Sequence, residues 1–271
     1  MSDIGRLRAA VIGLGRMGMH HVGACQDSDE VDLVAVLDHK LDCAASVCVD
    51  ARTVVAPDLE SLLDKVDLAI VAVPTADHAS TSQFLLRHGI SCLVEKPMSL
   101  TEAEANAMIE AAYAGGAHLQ IGHIERFNPA FQNLLYHLKE KPVQRVSVRR
   151  HNCMGDRPYD VDAVLDLMIH ELDLLTLFTD TEVDFVTTEK GASFHRVSAA
   201  LTYTSGLVAT LSADRDAAKP ARDMVIQTPG LTYTLNFTDQ LLSRQSEEGR
   251  EHLDVEPGDA LRNQLRAFTA F

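Results

Sequence analysis

The chain has 271 residues, of which 46% are hydrophobic and 23% charged, a balance typical of globular proteins with one large or two ordinary domains. Its 39 acidic residues outnumber 24 basic ones, which gives a formal net charge of −15. A surface of that charge repels nucleic acid and anionic membranes, so we exclude both as bulk partners.

Targeting, disulfide and metal-binding signals are missing from the sequence. The N-terminus lacks the layout of a signal peptide, and no apolar run reaches membrane-spanning length. No histidine spacing such as HxxxH with a third ligand suggests a metal site. The cysteines are odd in number, scattered and without a CxxC pair, which favours a reduced compartment. The five cysteines are Cys25, Cys43, Cys48, Cys92 and Cys153. We therefore expect a cytoplasmic protein without a bound metal.

The first part of the chain alternates short apolar runs with helical segments. The runs are apolar on both faces, as strands buried between two helix layers must be. This pattern predicts a parallel α/β sheet of the Rossmann type. The runs read "LRAAVIG", "VDLVAVLD", "LAIVAVP", "ISCLVEKP" and "HLQIG".

A GxGxxG motif, Gly13, Gly15 and Gly18, follows the first of these strands. Such glycines permit a tight turn, a close approach by a pyrophosphate and close helix–strand packing. Asp38 ends the next strand, where a carboxylate accepts hydrogen bonds from ribose hydroxyls and repels a 2′-phosphate. Asp38 therefore favours NAD, although the nearby cation of Lys40 leaves NADP open as the cofactor. The alternative is a glycine turn that serves packing alone.

Two further strands, in "VAVPTADH" and "LVEKP", end in polar residues and proline. Ligands of open parallel sheets bind beyond the carboxyl ends of the strands. Lys96 is thus expected beside the nicotinamide, where a hydroxyl would react; otherwise it is a surface lysine before a turn. The residues that we assign to cofactor binding are Gly13, Gly15, Arg16, Met17, Gly18, Asp38, Pro74, Thr75, His78, Glu95 and Lys96.

The second part of the chain changes character after "RFNPAF". Period-two runs joined by short turns predict a mostly antiparallel sheet with one covered face. We expect a Rossmann domain over residues 1–124 and an α+β domain over residues 125–271. The final segment "DALRNQLRAFTAF" stops without a helix cap, so we expect the second domain to be incomplete.

The helix "VLDLMIHELDLL", residues 164–175, carries titratable groups among apolar ones. At 100° per residue, Asp166, His170 and Asp173 share a narrow stripe, and Glu171 lies outside it. Asp166 and His170 are four residues apart, a spacing suited to general acid–base chemistry. The alternative is a thin solvated stripe on a buried helix.

Candidates for substrate binding come from two segments. In "GHIERFNPAF", His123, Arg126 and Asn128 follow the last strand of the nucleotide domain and should border the same cleft. Arg149 lies on a basic face of the strand "VQRVSVRRHN" and could hold an anionic group. The alternative for Arg149 is a solvated sheet face.

In order and spacing, the glycine motif, Asp38, "VPTADH", "EKP" and the D-x-x-x-H of Asp166 and His170 resemble the Gfo/Idh/MocA family of nicotinamide-dependent oxidoreductases. The resemblance implies a Rossmann domain and an α+β domain whose sheet mediates oligomer contacts. It also implies that Lys96, Asp166 and His170 lie at the reacting carbon. "GHIERFNPAF" resembles the subgroup that oxidises C3 of UDP-N-acetyl-hexosamines. The glycines common before the D-x-x-x-H segment are absent.

The resulting hypothesis is hydride transfer from a sugar secondary hydroxyl to NAD, by a homo-oligomer (dimer or tetramer) that assembles through its second sheet. The substrate is expected to be a sugar or a nucleotide-linked sugar. One alternative is a dehydrogenase of a free polyol or sugar such as inositol. Another is a catalytically silent nucleotide-binding protein of the same fold.

Overall fold

A computed structural model describes residues 5–40, 53–139, 141–153, 155, 159–189 and 191–270. The chain forms two compact units, one of Met1–Gly122 with Leu261–Phe271 and one of His123–Ala260. The segment after residue 260, expected in the second domain, belongs to the first unit. The cysteines Cys43 and Cys48 lie outside the described residues.

The first unit is built on a parallel sheet with the strand order β3-β2-β1-β4-β5-β6. This order is that of a dinucleotide-binding Rossmann sheet and confirms the predicted fold class. The five predicted strands are present, and the two-residue strand β3 was not predicted. The strands are β1 Leu7–Ile12, β2 Val31–Leu37, β3 Val54–Val55, β4 Leu68–Val71, β5 Ser91–Val94 and β6 Leu119–Ile121.

Both faces of this sheet are covered, as the apolar runs predicted. Along β1, Ala10 and Ile12 belong to one core, whereas Ala9 and Val11 belong to another on the opposite face. In the described part of the chain, the α-helices are α1 Arg16–Gln26, α2 Thr75–Arg87, α3 Glu102–Gly115, α4 Pro129–Leu138, α5 Ile169–Leu175 and α6 Ala260–Thr269. Among the described residues, none of the helices has the length and apolar character needed to cross a bilayer.

Helix α6 joins the first unit because its apolar side chains are buried there. Leu265 and Phe268 are almost wholly buried and share a core with β1, β2 and α1. Two salt bridges tie the same helix to the segment after α1, from Arg262 to Asp27 and from Arg266 to Glu30. The predicted domain boundary missed this return of the chain to the first unit, because Leu265 and Phe268 are buried against residues that are distant in the sequence.

The second unit contains an eight-stranded sheet with the order β14-β13-β12-β11-β7-β10-β9-β8. Strands β7 and β10 pair in parallel, and the other neighbours are antiparallel, which confirms the predicted mostly antiparallel sheet. The strands are β7 Arg145–His151, β8 Val183–Thr188, β9 Arg196–Tyr203, β10 Val208–Asp214, β11 Ala221–Thr228, β12 Leu231–Asn236, β13 Leu241–Ser246 and β14 Gly249–Leu253.

One face of this second sheet is covered by helices. Along β7, Val146, Val148 and Arg150 are buried, whereas Arg145 and Arg149 on the alternate face are exposed. The valines pack in one core with α4, α5 and the turn before α5. That turn, Val164–Met168, is π-helical, a local widening that often occurs at functional sites.

Candidate active site

The cofactor residues predicted in the first unit lie along the carboxyl edge of its sheet. Hydrogen bonds continue past the strand ends, from the Gly13 N–H to Leu37 O at 2.8 Å and from the Glu95 N–H to Val71 O at 2.9 Å. The loops after β1, β2, β4 and β5 are therefore neighbours. This edge is where open parallel sheets bind their ligands.

The three motif glycines differ in how strictly the fold requires the absence of a side chain. Gly13 has φ +87°, and a Cβ there would lie 2.6 Å from the carbonyl oxygen of Ala72. A Cβ on Gly18 would lie 1.8 Å from the carbonyl oxygen of Gly13, so helix α1 requires glycine there. A Cβ on Gly15 would meet nothing within 4 Å. The fold requires Gly13 and Gly18, whereas Gly15 leaves space in front of the α1 N-terminus.

That space fits the pyrophosphate of a dinucleotide. Gly15 is the N-cap of α1 and offers no side-chain cap, so the first N–H groups of the helix remain available to a phosphate. Arg16 is exposed and Met17 half-buried in the same first turn. The helix has no acidic residue in that turn to repel an anion.

Asp38 lies beside the glycine loop at the end of β2. Its Oδ2 accepts the N–H of Leu14 at 2.7 Å, and its Oδ1 accepts the N–H of Lys40 at 2.8 Å. Partial burial opposes the charge, but these backbone donors and the nearby His39 hold the pKa of Asp38 below its ordinary value. The edge thus carries a carboxylate fixed by backbone donors beside the glycine loop.

The segment after β4 contributes two buried residues. Pro74 precedes α2, and Thr75 is its first, buried residue. His78 is 1% exposed, with Nδ1 2.8 Å from the carbonyl oxygen of Pro97 and Nε2 3.0 Å from that of Val73. Both ring nitrogens of His78 therefore contact backbone carbonyls of the edge loops.

Glu95 is also buried at this edge, immediately before the half-buried Lys96. Its Oε1 lies 2.7 Å from Nε2 of the buried His21, and its Oε2 accepts the backbone N–H of Lys96 at 3.2 Å. Burial opposes the charge of Glu95, but the hydrogen bond from His21 and the charges of His21 and Lys96 hold the pKa of Glu95 below its ordinary value.

In the second unit, Asp166 and His170 are both buried, each 8% exposed. The alternative of a solvated stripe is therefore not observed for these two residues. Oδ2 of Asp166 lies 3.4 Å from Nη1 of Arg215, a guanidinium that is completely buried. Arg215 also donates to the carbonyl oxygens of Val161 and Phe194. This network keeps a cation beside Asp166.

Glu171, which fell outside the predicted stripe, faces a second buried arginine. Its Oε1 accepts the Nε–H of Arg150 at 2.5 Å, and Nη1 of Arg150 donates to Glu125 at 2.9 Å. Burial raises the pKa of Glu171 and the nearby charge of Glu125 acts in the same direction, although Arg150 opposes both. Helix α5 is thereby tied to strand β7 and to the turn that contains Glu125.

His123 and Arg126 come together at Asp173, on the same helix as His170. Arg126 forms a two-pronged pair with Asp173, Nε to Oδ2 at 2.7 Å and Nη2 to Oδ1 at 2.6 Å. Nε2 of His123 lies 3.7 Å from Oδ1 of Asp173. Asn128 is buried as the N-cap of α4, where it accepts the N–H of Ala130.

Arg149 lies elsewhere in the second unit. Because side chains alternate along β7, Arg149 lies on the exposed face, whereas Arg150 contacts α5 on the covered face. Its guanidinium pairs with Asp223 of the adjacent strand β11, at 3.0 and 2.8 Å. The structure therefore does not bring Arg149 together with His170.

Sequence reasoning missed the buried partners of the predicted groups. Arg150 had a signal, because it continues the apolar face of Val146 and Val148 along β7. Arg215 had none, since nothing in the sequence pairs the end of β10 with Asp166. Among the described residues, no cluster of three His, Cys, Asp or Glu side chains could hold a metal ion.

Comparison with known proteins gives a consistent result. Residues 7–123 match the family model described as "Oxidoreductase family, NAD-binding Rossmann fold", GFO_IDH_MocA. The UDP-N-acetylglucosamine 3-dehydrogenase of Acidithiobacillus ferrooxidans is 34% identical over 224 residues, which cover 81% of this chain and 71% of that protein. The chain belongs to the Gfo/Idh/MocA family.

Membership makes the protein a nicotinamide-dependent oxidoreductase. A solved structure of the Acidithiobacillus ferrooxidans enzyme covers 98% of this chain and 88% of its own, with a TM-score of 0.91 and 30% identity. The inositol 2-dehydrogenase of Acidothermus cellulolyticus is 29% identical over 190 residues, 65% of this chain and 54% of that protein. The 3-ketoreductase KijD10 of Actinomadura kijaniata, solved with NADP, shares the fold at 19% identity and a TM-score of 0.85, covering 98% of this chain and 89% of its own.

Proposed function

We propose that the protein oxidises the C3 hydroxyl of a UDP-N-acetyl-hexosamine, with the hydride transferred to NAD. The observation that carries the proposal is the similarity to a UDP-N-acetylglucosamine 3-dehydrogenase, which extends through both units. In this proposal the first unit binds the cofactor, and the second unit binds the sugar and mediates assembly.

NAD is the proposed cofactor because Asp38 is ionised beside the glycine loop. A carboxylate there accepts hydrogen bonds from the adenosine ribose and repels the 2′-phosphate of NADP. Gly13, Gly15, Gly18, Arg16 and Met17 would hold the pyrophosphate. Residues at the neighbouring strand ends would complete the cofactor site: Pro74, Thr75, His78, Glu95 and Lys96.

The proposed chemistry separates a hydride from a proton. The nicotinamide, when bound, supplies the acceptor for the hydride that leaves C3. His170 accepts the proton of the C3 hydroxyl, and Asp166 orients the imidazole. Lys96 polarises the same oxygen.

Substrate binding is assigned to the segment before α4. Arg126 is partly exposed and keeps donors for a diphosphate beyond those bonded to Asp173. His123 shares Asp173 with it, and Asn128 fixes the helix that follows. Arg149 would take part only if the exposed face of the sheet contributed to the site.

A second candidate substrate is a free polyol such as inositol, which the similarity to inositol 2-dehydrogenase favours. A third possibility is a protein that binds nucleotide without turnover. Incubation with NAD and either UDP-N-acetylglucosamine or inositol, followed by NADH absorbance, separates the three. We expect turnover with the UDP-sugar only; turnover with inositol alone, or NADH binding with no turnover, would refute the proposal.

The same experiment tests the catalytic assignment. His170→Ala and Lys96→Met should each lower kcat by about 100-fold or more, since each group acts on the reacting hydroxyl. Both variants should still bind NADH, as measured by fluorescence. Full turnover in His170→Ala would remove the imidazole from the mechanism.

We further propose a cytoplasmic homo-oligomer that assembles through the exposed face of the second sheet. The face carries exposed polar side chains such as Ser147 and Thr210, which are accessible to a second copy. Light scattering after size-exclusion chromatography should give a dimer or tetramer. A monomer at micromolar concentration would refute this assembly.

A further inference from the structure

We propose that two buried histidines, His21 and His78, are positioning residues that fix the backbone on either side of Lys96. The inference rests on the proposed function, because it concerns the placement of the lysine assigned to the reacting hydroxyl. One histidine holds residue 95 and the other holds residue 97. Neither ring is exposed by more than 1%.

His21 acts on the residue before Lys96. It lies on α1 and places Nε2 2.7 Å from Oε1 of Glu95. The other oxygen of Glu95 accepts the backbone N–H of Lys96 at 3.2 Å. The carboxylate therefore links the imidazole to the lysine backbone through two hydrogen bonds.

The carboxylate of Glu95 has little freedom to move away from His21. A Cβ on Gly122 would lie 3.2 Å from both Cδ and Oε1 of Glu95, so the chain after β6 passes directly against the carboxylate. Nδ1 of His21 is buried and forms no hydrogen bond within the described part of the chain. The polar contact of this imidazole is thus directed to Glu95.

His78 acts on the residue after Lys96. It lies on α2 and places Nδ1 2.8 Å from the carbonyl oxygen of Pro97. Its Nε2 lies 3.0 Å from the carbonyl oxygen of Val73, two residues after β4. The ring thus joins the loop after β4 to the loop after β5 at the edge where the nicotinamide is proposed to bind.

Burying an imidazole is unfavourable unless its hydrogen bonds are used, and an apolar residue would fill either space at lower cost. Each ring places one nitrogen against the segment 95–97, and the second nitrogen of His78 lies against the carbonyl oxygen of Val73. A lysine side chain has four flexible bonds, so a fixed backbone narrows the volume that its ammonium group samples. Hydride transfer depends steeply on such placement, and a displacement of about 1 Å can cost about 100-fold in rate.

The test compares apolar variants with amide variants that restore single hydrogen bonds. His21→Leu and His78→Leu should lower kcat for the UDP-sugar by about 10- to 100-fold. His21 is not assigned to the cofactor site, so His21→Leu should change the Kd for NADH by less than about threefold. Glutamine carries its amide nitrogen near the position of Nε2, and asparagine near that of Nδ1. His21→Gln should therefore recover most of the lost turnover.

The two amides at position 78 give opposite expectations. His78→Asn keeps a donor toward Pro97 and should recover turnover, whereas His78→Gln keeps the donor toward Val73 and should not. If the leucine variants fail to fold, the comparison of Asn with Gln at position 78 still decides the question. Equal kcat in His78→Asn and His78→Gln would overturn the role of the Pro97 contact.

Two controls separate this inference from the proposed function. His20→Leu, on the exposed side of α1, should leave kcat and KM unaltered. Lys96→Met should be nearly inactive. If Lys96→Met is inactive but His21→Leu and His78→Leu turn over at the unaltered rate, the positioning inference fails alone. If Lys96→Met is fully active, the proposed function fails.

Discussion

The guanidinium of Arg215 lies 3.4 Å from the carboxylate of Asp166 and 4.1 Å from the ring centroid of Tyr159. Arg215 is completely buried, so its charge is compensated by Asp166, the two carbonyls that it contacts and the aromatic faces. The buried cation of Arg215 contacts Asp166, which lies four positions before His170. A positive charge is therefore held next to the π-helical turn that precedes α5.

Replacing Arg215 by Met should lower the free energy of unfolding by about 3–5 kcal/mol, because it removes a buried cation from a buried carboxylate. Urea denaturation measures the change. Asp166→Asn removes the charge that Arg215 faces, so the double variant should lose less than the sum of the two single losses. Strictly additive losses would show that the two side chains are not coupled.

The motif glycines should separate folding from cofactor binding. Gly18→Ala forces a Cβ against the carbonyl of Gly13 and should cost about 1–3 kcal/mol of stability without cofactor. Gly15→Ala meets open space and should change stability by about 0.5 kcal/mol or less, yet weaken NADH binding by about tenfold or more. Unchanged NADH affinity in Gly15→Ala would place the pyrophosphate elsewhere.

Arg126 and Arg149 should differ in their effect on the sugar substrate. Arg126→Ala should raise KM for UDP-N-acetylglucosamine by about tenfold, because it removes a phosphate donor. Asp173→Asn keeps the guanidinium of Arg126 and should raise KM less than Arg126→Ala does. This comparison separates contact with the substrate from the pairing of Arg126 with α5. Arg149 is paired on the opposite sheet face, so Arg149→Ala should raise KM by about twofold or less. A larger increase in KM for Arg149→Ala would indicate that the exposed face of the sheet contributes to substrate binding.

Two buried carboxyls should give pH trends of opposite sign. The pKa of Glu95 is lowered on folding, so its contribution to stability is present above the ordinary glutamate pKa of about 4.3 and is lost as the pH falls. The pKa of Glu171 is raised by burial, so its contribution is present below that value and is lost as the pH rises.

The matched variants are Glu95→Gln and Glu171→Gln. Relative to Glu95→Gln, the unaltered protein should gain stability as the pH rises toward about 4.3. Relative to Glu171→Gln, it should lose stability as the pH rises above about 4.3. Urea midpoints at a series of pH values measure both differences, and parallel curves for all three proteins would contradict the assignment.

Asp38 should control the choice between the two nicotinamide cofactors. Asp38→Ser removes the negative charge at the proposed ribose position and should raise KM for NAD by about tenfold while improving NADP relative to NAD. The ratio of kcat/KM for the two cofactors measures the shift. A higher activity of the unaltered protein with NADP than with NAD would reverse the proposed preference.

The sequence by itself determined the local features of this protein. Strands buried on both faces are apolar throughout, and a glycine turn tolerates few other residues, so the parallel sheet and the turn at Gly13 and Gly18 could be read from residue order. The helix with titratable residues could also be recognised from the sequence, because Asp166 and His170 are only four positions apart.

Only the tertiary structure decided which partners those groups have. Arg215 reaches Asp166 across 49 positions of the chain, and His21 reaches Glu95 across 74, separations that no periodicity encodes. Helix α6 returned to the first unit because burial of Phe268, and not chain order, fixed its place. Burial and long-range pairing depend on how the elements pack, whereas hydrophobic period and turn chemistry depend on neighbours along the chain.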